Sequence, residues 1–185
     1  MSKAIRNEYA DLGVDAFYLQ NGDKYENPHE AQVQALVKRN FKKYGGSSVL
    51  DLACGSGEVT RALKEIHVEN IIGCDPYTFR LYEKRTQKKC FTFTFDDLIR
   101  GKHLADWHEQ QFGMIICSFA LHLQPEKKLF PLISVLFFLT KTLVVITPHK
   151  RPVLEVLENV QLIDTDSELT ERGKKVFLKV YSKPI

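Results

Sequence analysis

The chain has 185 residues, of which 44% are hydrophobic and 26% are charged, and its formal net charge at pH 7 is +3. These values are typical of one soluble globular domain. No apolar run approaches the roughly 20 residues that a membrane-spanning helix requires, which excludes a helical membrane protein. The mild positive charge is compatible with a polyanionic partner but does not require one.

The start of the chain carries no export signal. Residues 1–13 are polar and mixed in charge, so we expect a cytoplasmic protein, with the nucleus also open. The four cysteines lie 20, 16 and 27 residues apart in apolar surroundings, without the close pairs of a structural zinc site. We therefore expect reduced, buried thiols and no metal.

Helical and strand patterns alternate along the chain. Apolar residues recur at helical spacing in residues 29–44, which predicts a helix ahead of the first strand. Residues 125–140 predict a long apolar helix, and residues 152–160 leave room for little more than two helical turns. The predicted strands of this alternating part are 47–54, 70–76, 90–97, 112–119 and 142–148.

Strands that are apolar on both faces and alternate with helices favour a parallel sheet covered on both sides. The last two predicted strands, 160–168 and 174–183, follow one another directly and form an antiparallel hairpin. The sequence thus predicts an α/β fold: a doubly wound seven-stranded sheet, mostly parallel with a C-terminal antiparallel hairpin, with helices on both faces. We treat 1–185 as a single domain, with an N-terminal lid or leader segment at 1–28 and a Rossmann-like core at 29–185.

The segment VLDLACGSGEVTRAL, residues 49–63, leads from a buried strand through two glycines into a helix. Gly55 and Gly57, on either side of Ser56, leave the backbone bare, which predicts that a ligand lies against it. In an open parallel sheet, ligands bind outside the carboxyl ends of the strands, where the strand order switches. The helix that follows adds its N-terminal donors for an anionic group.

Acidic residues follow the next two predicted strands. Asp75 lies 24 residues after Asp51, where a carboxylate can accept hydrogen bonds from both hydroxyls of a ribose. Asp96 and Asp97 end the third predicted strand, where an acidic group can accept from an adenine amino group. No Lys-Ser or Lys-Thr pair for a triphosphate follows the glycines, so the pattern predicts a nucleoside with a small polar tail. Three alternatives stay open: Gly55 and Gly57 as a simple turn, Asp75 as a solvated strand end or helix N-cap, and Asp96 or Asp97 as a helix start.

Taken in order, the segments VLDLACGSGEVTRAL, IIGCDPY, FTFDDL and FGMIICSFALHL resemble the class I S-adenosylmethionine-dependent methyltransferases. The resemblance extends over roughly residues 30–183 and includes the closing hairpin. It implies S-adenosyl-L-methionine as cofactor, with the methionine end at the glycine turn, the ribose after the second strand, the adenine after the third and the sulfonium at the end of the fourth. Either Asp96 or Asp97 makes the adenine contact. The cofactor-binding residues that the resemblance implies are Asp51, Ala53, Gly55, Ser56, Gly57, Asp75, Pro76, Asp96, Asp97, Leu98, Cys117 and Ser118.

The segment CSFALHLQPEKK follows the fourth strand, where this superfamily keeps its acceptor loop. It lacks the Asn/Asp-Pro-Pro-aromatic pattern of enzymes that methylate exocyclic or amide nitrogens, which disfavours that chemistry. It resembles the loop of cap guanine-N7 methyltransferases and of several small-molecule enzymes. The resemblance implies a catalytic role for His122 and an acceptor contact for Phe119. The alternative is a histidine whose polar atoms are satisfied by backbone near a helix start.

The segment ahead of the core, residues 15–30, is rich in aromatic and hydrogen-bonding side chains. Lids and binding loops concentrate such residues, so we expect it to fold over the cofactor mouth. On this hypothesis Tyr25 is catalytic, and Tyr18, Asn27 and His29 bind the acceptor. Surface packing of a leader segment is the alternative.

Three cations follow the fifth predicted strand, at His149, Lys150 and Arg151. They belong to the same sheet edge as the glycine turn and suit a phosphate or carboxylate on the acceptor. A solvated loop is the alternative.

The sequence therefore predicts an S-adenosylmethionine-dependent methyltransferase that favours an RNA or nucleotide acceptor, with a small-molecule acceptor close behind. The competing hypothesis is a non-catalytic protein that binds the cofactor or a protein partner. The apolar helix at 129–140 is the candidate surface for such a partner, because it is apolar on more than one face.

Overall fold

The computed structural model describes residues 26–109 and 111–183. Tyr18, Tyr25 and nearly all of the predicted lid segment lie outside the described residues. The helices are α1 (Glu30–Tyr44), α2 (Glu58–Glu65), α3 (Phe79–Thr86), α4 (Phe95–Ile99) and α5 (Glu126–Leu139). The strands are β1 (Val49–Leu52), β2 (Ile71–Cys74), β3 (Cys90–Phe91), β4 (Met114–Ser118), β5 (Thr142–Thr147), β6 (Gln161–Leu169) and β7 (Lys175–Ser182).

These strands form one seven-stranded sheet in the order β3-β2-β1-β4-β5-β7-β6. β1 pairs in parallel with both β2 and β4, and β4 pairs in parallel with β5. β7 lies antiparallel between β5 and β6, with Phe177 paired to Thr147 at the carboxyl end of β5. The predicted fold class is confirmed. The strand order switches between β1 and β4, so a crevice for a ligand is expected at their carboxyl ends.

Helices cover both faces of the sheet, and successive residues of each central strand pack on opposite faces. In β1, Leu50 and Leu52 belong to the core beneath α4 and α5, whereas Val49 packs beneath α1 and α2. A strand buried on both sides needs apolar residues at nearly every position. Asp51 is the exception in β1, and its fully buried carboxylate bonds to Thr60 on α2.

Two elements are shorter than the sequence predicts. The alternating pattern of residues 90–97 forms only the two-residue strand β3, because Thr94 begins the capping box that starts α4. Asp96 and Asp97 therefore lie in the first turn of a helix, and the prediction that they end a strand is wrong. Residues 152–160 contain only a 3-10 turn, Leu154–Val156, in place of two helical turns.

Burial in the core accounts for most of the apolar character of α5. Leu132, Ile133 and Leu136 are fully buried, whereas Phe130 and Phe138 are 57% and 43% exposed. A protein partner at this helix stays a prediction. In the described ranges, no helix is both long enough and apolar enough to cross a membrane.

Gly73, in β2, makes room for the ring of Tyr82 on α3. A Cβ at position 73 would lie 2.5 Å from Cζ of Tyr82, which is fully buried. We expect Gly73→Ala to lower the free energy of unfolding by about 1–3 kcal/mol, the usual cost of overpacking a core. Adding Tyr82→Leu should cost less than the sum of the two single changes, because the smaller side chain frees space. Urea unfolding of the four proteins measures this, and strict additivity would contradict it.

Candidate active site

The turn between β1 and α2, residues 53–57, holds three residues in the left-handed backbone region. φ is 54° at Ala53, 55° at Gly55 and 94° at Gly57. This region costs an ordinary L-residue about 1–2 kcal/mol, so its surroundings must hold Ala53 there. The Ala53 N–H donates to the carbonyl of Cys74 at 2.7 Å. Backbone strain of this kind clusters at functional sites.

Close packing requires a glycine at position 57. A Cβ there would lie 2.4 Å from Cγ2 of Thr86 on α3. The left-handed φ of Gly57 imposes the same requirement. Thr86 of α3 occupies the space where a side chain at position 57 would lie, so this glycine also allows α3 to pack against the turn.

Asp51 connects β1 to the start of α2. Its Oδ2 accepts hydrogen bonds from N (3.1 Å) and Oγ1 (2.7 Å) of Thr60. The carboxylate therefore satisfies one of the helix N-terminal donors that we predicted for a ligand anion. Its other oxygen, Oδ1, is buried and has no hydrogen-bond partner among the described residues.

Asp75 follows β2 and binds the turns on both sides of it. Its Oδ1 accepts from the backbone N of Tyr77 (2.9 Å) and Thr78 (3.0 Å), and its Oδ2 accepts from the N of Gly55 (3.2 Å). The Thr78 hydroxyl in turn donates to the carbonyl of Gly55 at 2.7 Å. The Asp75 carboxylate thus fixes the glycine turn against the turn that carries Pro76. The bonds to Tyr77 and Thr78 stabilise the turn before α3, whose N-cap is Thr78, so the alternative that Asp75 caps this helix is wrong. They leave part of the acceptor capacity of the carboxylate unused.

Three carboxyl groups lie buried behind the glycine turn, those of Asp51, Glu58 and Asp75. Burial raises the pKa of each above its usual range, and in Asp51 the bonds from Thr60 oppose that rise. A nearby positive charge lowers the pKa of a carboxyl group and favours its ionised form. Arg85, whose guanidinium donates to Oγ of Ser56, is the cation nearest to Glu58 and opposes the rise in its pKa.

On the predicted adenine side, Asp97 belongs to the capping box of α4. Its Oδ2 accepts from N (3.0 Å) and Oγ1 (2.8 Å) of Thr94, and its Oδ1 pairs with Nζ of Lys102 at 2.6 Å. The bond to Lys102, followed by those to Thr94, lowers the pKa of Asp97 to about 2. The helix-start alternative thus accounts for this residue.

Asp96 and Leu98 occupy different environments. Asp96 is 45% exposed at its side chain and pairs with Nζ of Lys128 at 2.7 Å. Leu98 is fully buried in the main core, and its N–H donates to the carbonyl of Thr94. Of the two adjacent aspartates, Asp96 is therefore the more accessible to a ligand.

Cys117 and Ser118 end β4 beside the glycine turn, with Cys117 paired to Leu52 of β1. Both are buried, and burial raises the pKa of the Cys117 thiol. All four cysteines are free and buried, as predicted. The fold also brings Sγ of Cys54 to 3.6 Å from Sγ of Cys90, although the sequence separates them by 36 residues. Among the described residues, no group of three or more side chains is arranged to hold a metal ion.

Three histidines gather around Phe119 where β4 and β5 end. His29 stacks on Phe119 with ring centroids 5.2 Å apart, and His122 presents its ring at 85° to Phe119 at 6.5 Å. His149 lies 5.3 Å from His122. Asn27 is buried, and its Oδ1 accepts from the N of His29 at 2.9 Å. Five predicted acceptor-side residues, from three separate segments, therefore lie together.

Burial keeps two of these imidazoles neutral near physiological pH. It lowers the pKa of His122 to about 4, with a smaller contribution from His149. Burial, followed by the charge of Lys174, also lowers the pKa of His29. The Nδ1 atom of each ring is buried and has no hydrogen-bond partner within the described part of the chain. A neutral imidazole can accept a hydrogen bond from a bound group, and the lowered pKa values make these two rings weak bases at neutral pH.

The loop after β5 holds its cations at the rim of the site. His149, Lys150 and Arg151 are all exposed. Beneath them, Nζ of Lys179 donates to the carbonyls of Lys150 (2.8 Å) and Pro152 (3.1 Å). Lys179 is only 9% exposed, so it anchors the rim loop from within β7.

The sequence did not reveal that the turn between β6 and β7, residues 170–174, lies at this site. Because β7 runs antiparallel beside β5, this turn returns to the edge where β5 ends. Its Lys174 lies close enough to His29 to lower the pKa of that imidazole. The sequence predicted the hairpin itself. It did not show that β7 lies between β5 and β6, and this order is what brings the turn to the site.

Comparison with known proteins supports the fold. No protein-family model matches the chain. Among solved structures, magnesium protoporphyrin IX methyltransferase of Synechocystis, crystallised with bound S-adenosylmethionine, has a TM-score of 0.65 and 16% identity over 97% of this chain and 95% of that one. A SAM-dependent methyltransferase of Aquifex aeolicus has a TM-score of 0.63 and 16% identity over 89% and 98% of the two chains. A Pyrococcus horikoshii protein provisionally described as an RNA methyltransferase has a TM-score of 0.63 and 12% identity over 91% and 89%.

The chain therefore shares the fold of these S-adenosylmethionine-dependent methyltransferases. Its sequence is also 32% identical, over 193 aligned positions, to an uncharacterized protein of Schizosaccharomyces pombe. The match covers 82% of this chain and 77% of the yeast protein, so the two belong to one family.

His122 should make the protein less stable as the pH falls from 6.5 towards 4. Over this interval the unfolded chain protonates the imidazole, whose ordinary pKa is 6.5, while the folded protein keeps it neutral. The unfolded state then binds more protons, so acid favours unfolding. The buried carboxyls with raised pKa values contribute the opposite slope, and only a comparison of variants isolates His122.

We expect His122→Asn to remove this destabilising contribution, measured by urea unfolding at steps between pH 4 and 6.5. The control is His67→Asn at an exposed histidine, which should follow the wild-type pH dependence. Identical pH dependence in His122→Asn and wild type would contradict the prediction.

Proposed function

We propose that the chain is an S-adenosylmethionine-dependent methyltransferase whose acceptor is RNA or a nucleotide. One juxtaposition carries this proposal. The glycine turn with Asp75 follows β1 and β2, the cluster around Phe119 follows β4 and β5, and the strand order switches between them. A cofactor held on the first side would present its methyl group to an acceptor held on the second.

The residues present fit this cofactor. Asp75 retains acceptor capacity for ribose hydroxyls beyond its three backbone bonds. Within the described ranges, Oδ1 of Asp51 is buried and has no donor, and the Asp51 carboxyl lies with those of Glu58 and Asp75, which suits the positively charged methionine end of this cofactor. We assign the adenine contact to Asp96, because its side chain is 45% exposed against 19% for Asp97. Both oxygens of Asp96 bond to Nζ of Lys128, so the adenine amino group would share this carboxylate with Lys128.

When bound, S-adenosylmethionine supplies a methyl group attached to a positively charged sulfur. The protein must then align the acceptor, exclude water and, where the acceptor atom carries a proton, remove it. The neutral imidazole of His122 can accept a hydrogen bond from the acceptor, but it is a weak base because burial lowers its pKa to about 4. The ring of Phe119 offers a face for a flat acceptor such as a base. Tyr18 and Tyr25 stay predictions for the same side of the site.

The cations of the rim support a phosphorylated acceptor. Lys150 and Arg151 are exposed beside the cluster, and Lys174 lies near His29 on its other side. Lysine and arginine are the usual partners of phosphate in nucleic-acid complexes. A small aromatic molecule is the second candidate, because the stacked pair His29 and Phe119 could hold a ring without any phosphate contact.

The proposal is tested by titrating the purified protein with S-adenosylmethionine and S-adenosylhomocysteine in a calorimeter. Transfer of labelled methyl to fractionated cell RNA, protein and metabolites follows. Binding with label in RNA or nucleotides is the expected result, and label in another metabolite would support the second candidate. Binding without label would favour a non-catalytic protein, and absence of binding would overturn the proposal.

Asp75→Asn should weaken S-adenosylhomocysteine binding at least tenfold. The change removes the charge and turns one acceptor oxygen into a donor facing N–H groups, and hydrogen bonds to a charged group contribute about 1.5–3 kcal/mol. Calorimetry on protein shown to be folded by circular dichroism measures the effect. Asp106→Asn, at an exposed aspartate, should bind like wild type. Unchanged affinity in Asp75→Asn would refute this cofactor assignment.

Replacing both rim cations, Lys150→Ala with Arg151→Ala, should weaken binding of a fluorescent single-stranded RNA and reduce the salt dependence of its Kd. Each lost phosphate contact removes about one unit of counterion release. Affinity for S-adenosylhomocysteine should not change. The matched control, Lys42→Ala with Lys141→Ala, alters exposed cations at the opposite edge of the sheet. An equal loss of RNA affinity in both pairs would argue against a specific rim site.

A further inference from the structure

One carboxylate oxygen joins three helices near the site. Oε1 of Glu30, the first residue of α1, accepts from Nη1 of Arg61 on α2 and from Nη2 of Arg85 on α3, the latter at 3.4 Å. The three side chains are only partly exposed, at 29% for Glu30, 40% for Arg61 and 28% for Arg85. Their charges are therefore less screened than those of a fully solvated pair.

The same arginine also holds the glycine turn. Nη1 of Arg85 donates to Oγ of Ser56, and that hydroxyl donates to Oε1 of Glu58 at 2.6 Å. Ser56 and Glu58 are both buried. The guanidinium of Arg85 thus bridges two residues: one nitrogen bonds to Glu30 and another to Ser56 of the glycine turn.

Glu30 is equally tied to the acceptor side. It follows His29, whose ring stacks on Phe119. Asn27 holds both backbone nitrogens of this first turn: its Oδ1 accepts from His29 and its carbonyl oxygen accepts from Glu30 at 3.1 Å. Asn27 therefore connects the backbone of Glu30 to that of His29, the residue whose imidazole lies on Phe119.

We propose that Glu30 and Arg85 are positioning residues that couple the glycine turn to the cluster around Phe119. This inference rests on the proposed function, because it concerns how the two halves of that same site affect each other's binding. A ligand in the glycine turn fixes the position of Ser56. Arg85, which is bonded to Ser56, then shifts Glu30, and this shift reaches His29 through the first turn of α1. Coupling of this kind is reciprocal, so an acceptor bound at His29 strengthens binding at the glycine turn by the same factor.

The chain offers a matched control within the same pair of helices. Lys38 and Glu65 form another ion pair between α1 and α2, exposed and away from the turn and the cluster. Lys38→Met and Glu65→Gln therefore remove an α1 to α2 contact without touching the proposed link.

The test uses S-adenosylhomocysteine as probe and two readouts other than activity. Calorimetry gives its Kd, and the imidazole ¹H–¹⁵N signal of His29, assigned with His29→Gln, reports on the acceptor side. In the wild type we expect the probe to shift the His29 signal. Glu30→Gln and Arg85→Met should raise the Kd about 3- to 10-fold, a coupling within the usual range, and should abolish the shift. Arg85→Lys, which keeps the charge but not the forked geometry, should restore part of the affinity.

The two proposals fail in different ways. Lack of probe binding by the wild-type protein would overturn the proposed function and this inference with it. Binding with a His29 shift that persists in Glu30→Gln would overturn the inference alone. So would an equal effect of Lys38→Met, because the cause would then be general packing of α1 on α2.

Discussion

The candidate site depends on two buried carboxylates that satisfy backbone donors. Asp51 binds the first turn of α2 from within β1, and Asp75 binds the backbone of the glycine turn from the end of β2. A buried carboxylate that loses its donors is costly, so neither segment can move without leaving a polar group unpaired. These constraints hold the left-handed residues in place, including Ala53, where the chain tolerates strain without a glycine.

The second half of the site is assembled differently, from rings rather than from backbone bonds. His29 belongs to α1, Phe119 and His122 follow β4, and His149 follows β5. Because β4 and β5 are parallel neighbours, their loops leave the sheet side by side. α1 lies over the same strands, which brings its first turn to Phe119. Burial among these rings lowers the pKa of His29 and of His122 and keeps both imidazoles uncharged, a state that does not attract phosphate.

The parts of the fold predicted from sequence are those determined by local pattern. Apolar runs on both strand faces revealed the parallel sheet, and two consecutive strands revealed the hairpin. The predicted end of the third strand was wrong because two local signals overlap in residues 90–97. The alternation of aromatic residues and threonine predicted a strand, whereas Thr94 with Asp97 three residues later is a capping box and prevailed. That signal was visible in the sequence, and it distinguishes Asp97, which belongs to the capping box, from Asp96, which does not.

Contacts between distant segments could not be predicted in the same way. Nothing near Gly57 in the sequence shows that Thr86 fills the space beside it. The sequence also does not show that one oxygen of Glu30 meets guanidinium groups from two other helices. Such contacts depend on how helices pack across the sheet, and the stacking of His29 on Phe119 is another of them.

The turn between β6 and β7 lies at the acceptor edge, yet its own hydrogen bonds are largely internal. The N of Thr170 donates to the carbonyl of Lys174, and the N of Gly173 donates to that of Thr170. The turn is exposed and shares no strand with Asp51 or Asp75. Its length and charge can therefore vary through evolution while the bonds that Asp51 and Asp75 make to the glycine turn and α2 are preserved. Descendants of one ancestral chain could in this way acquire different acceptors by altering a single hairpin.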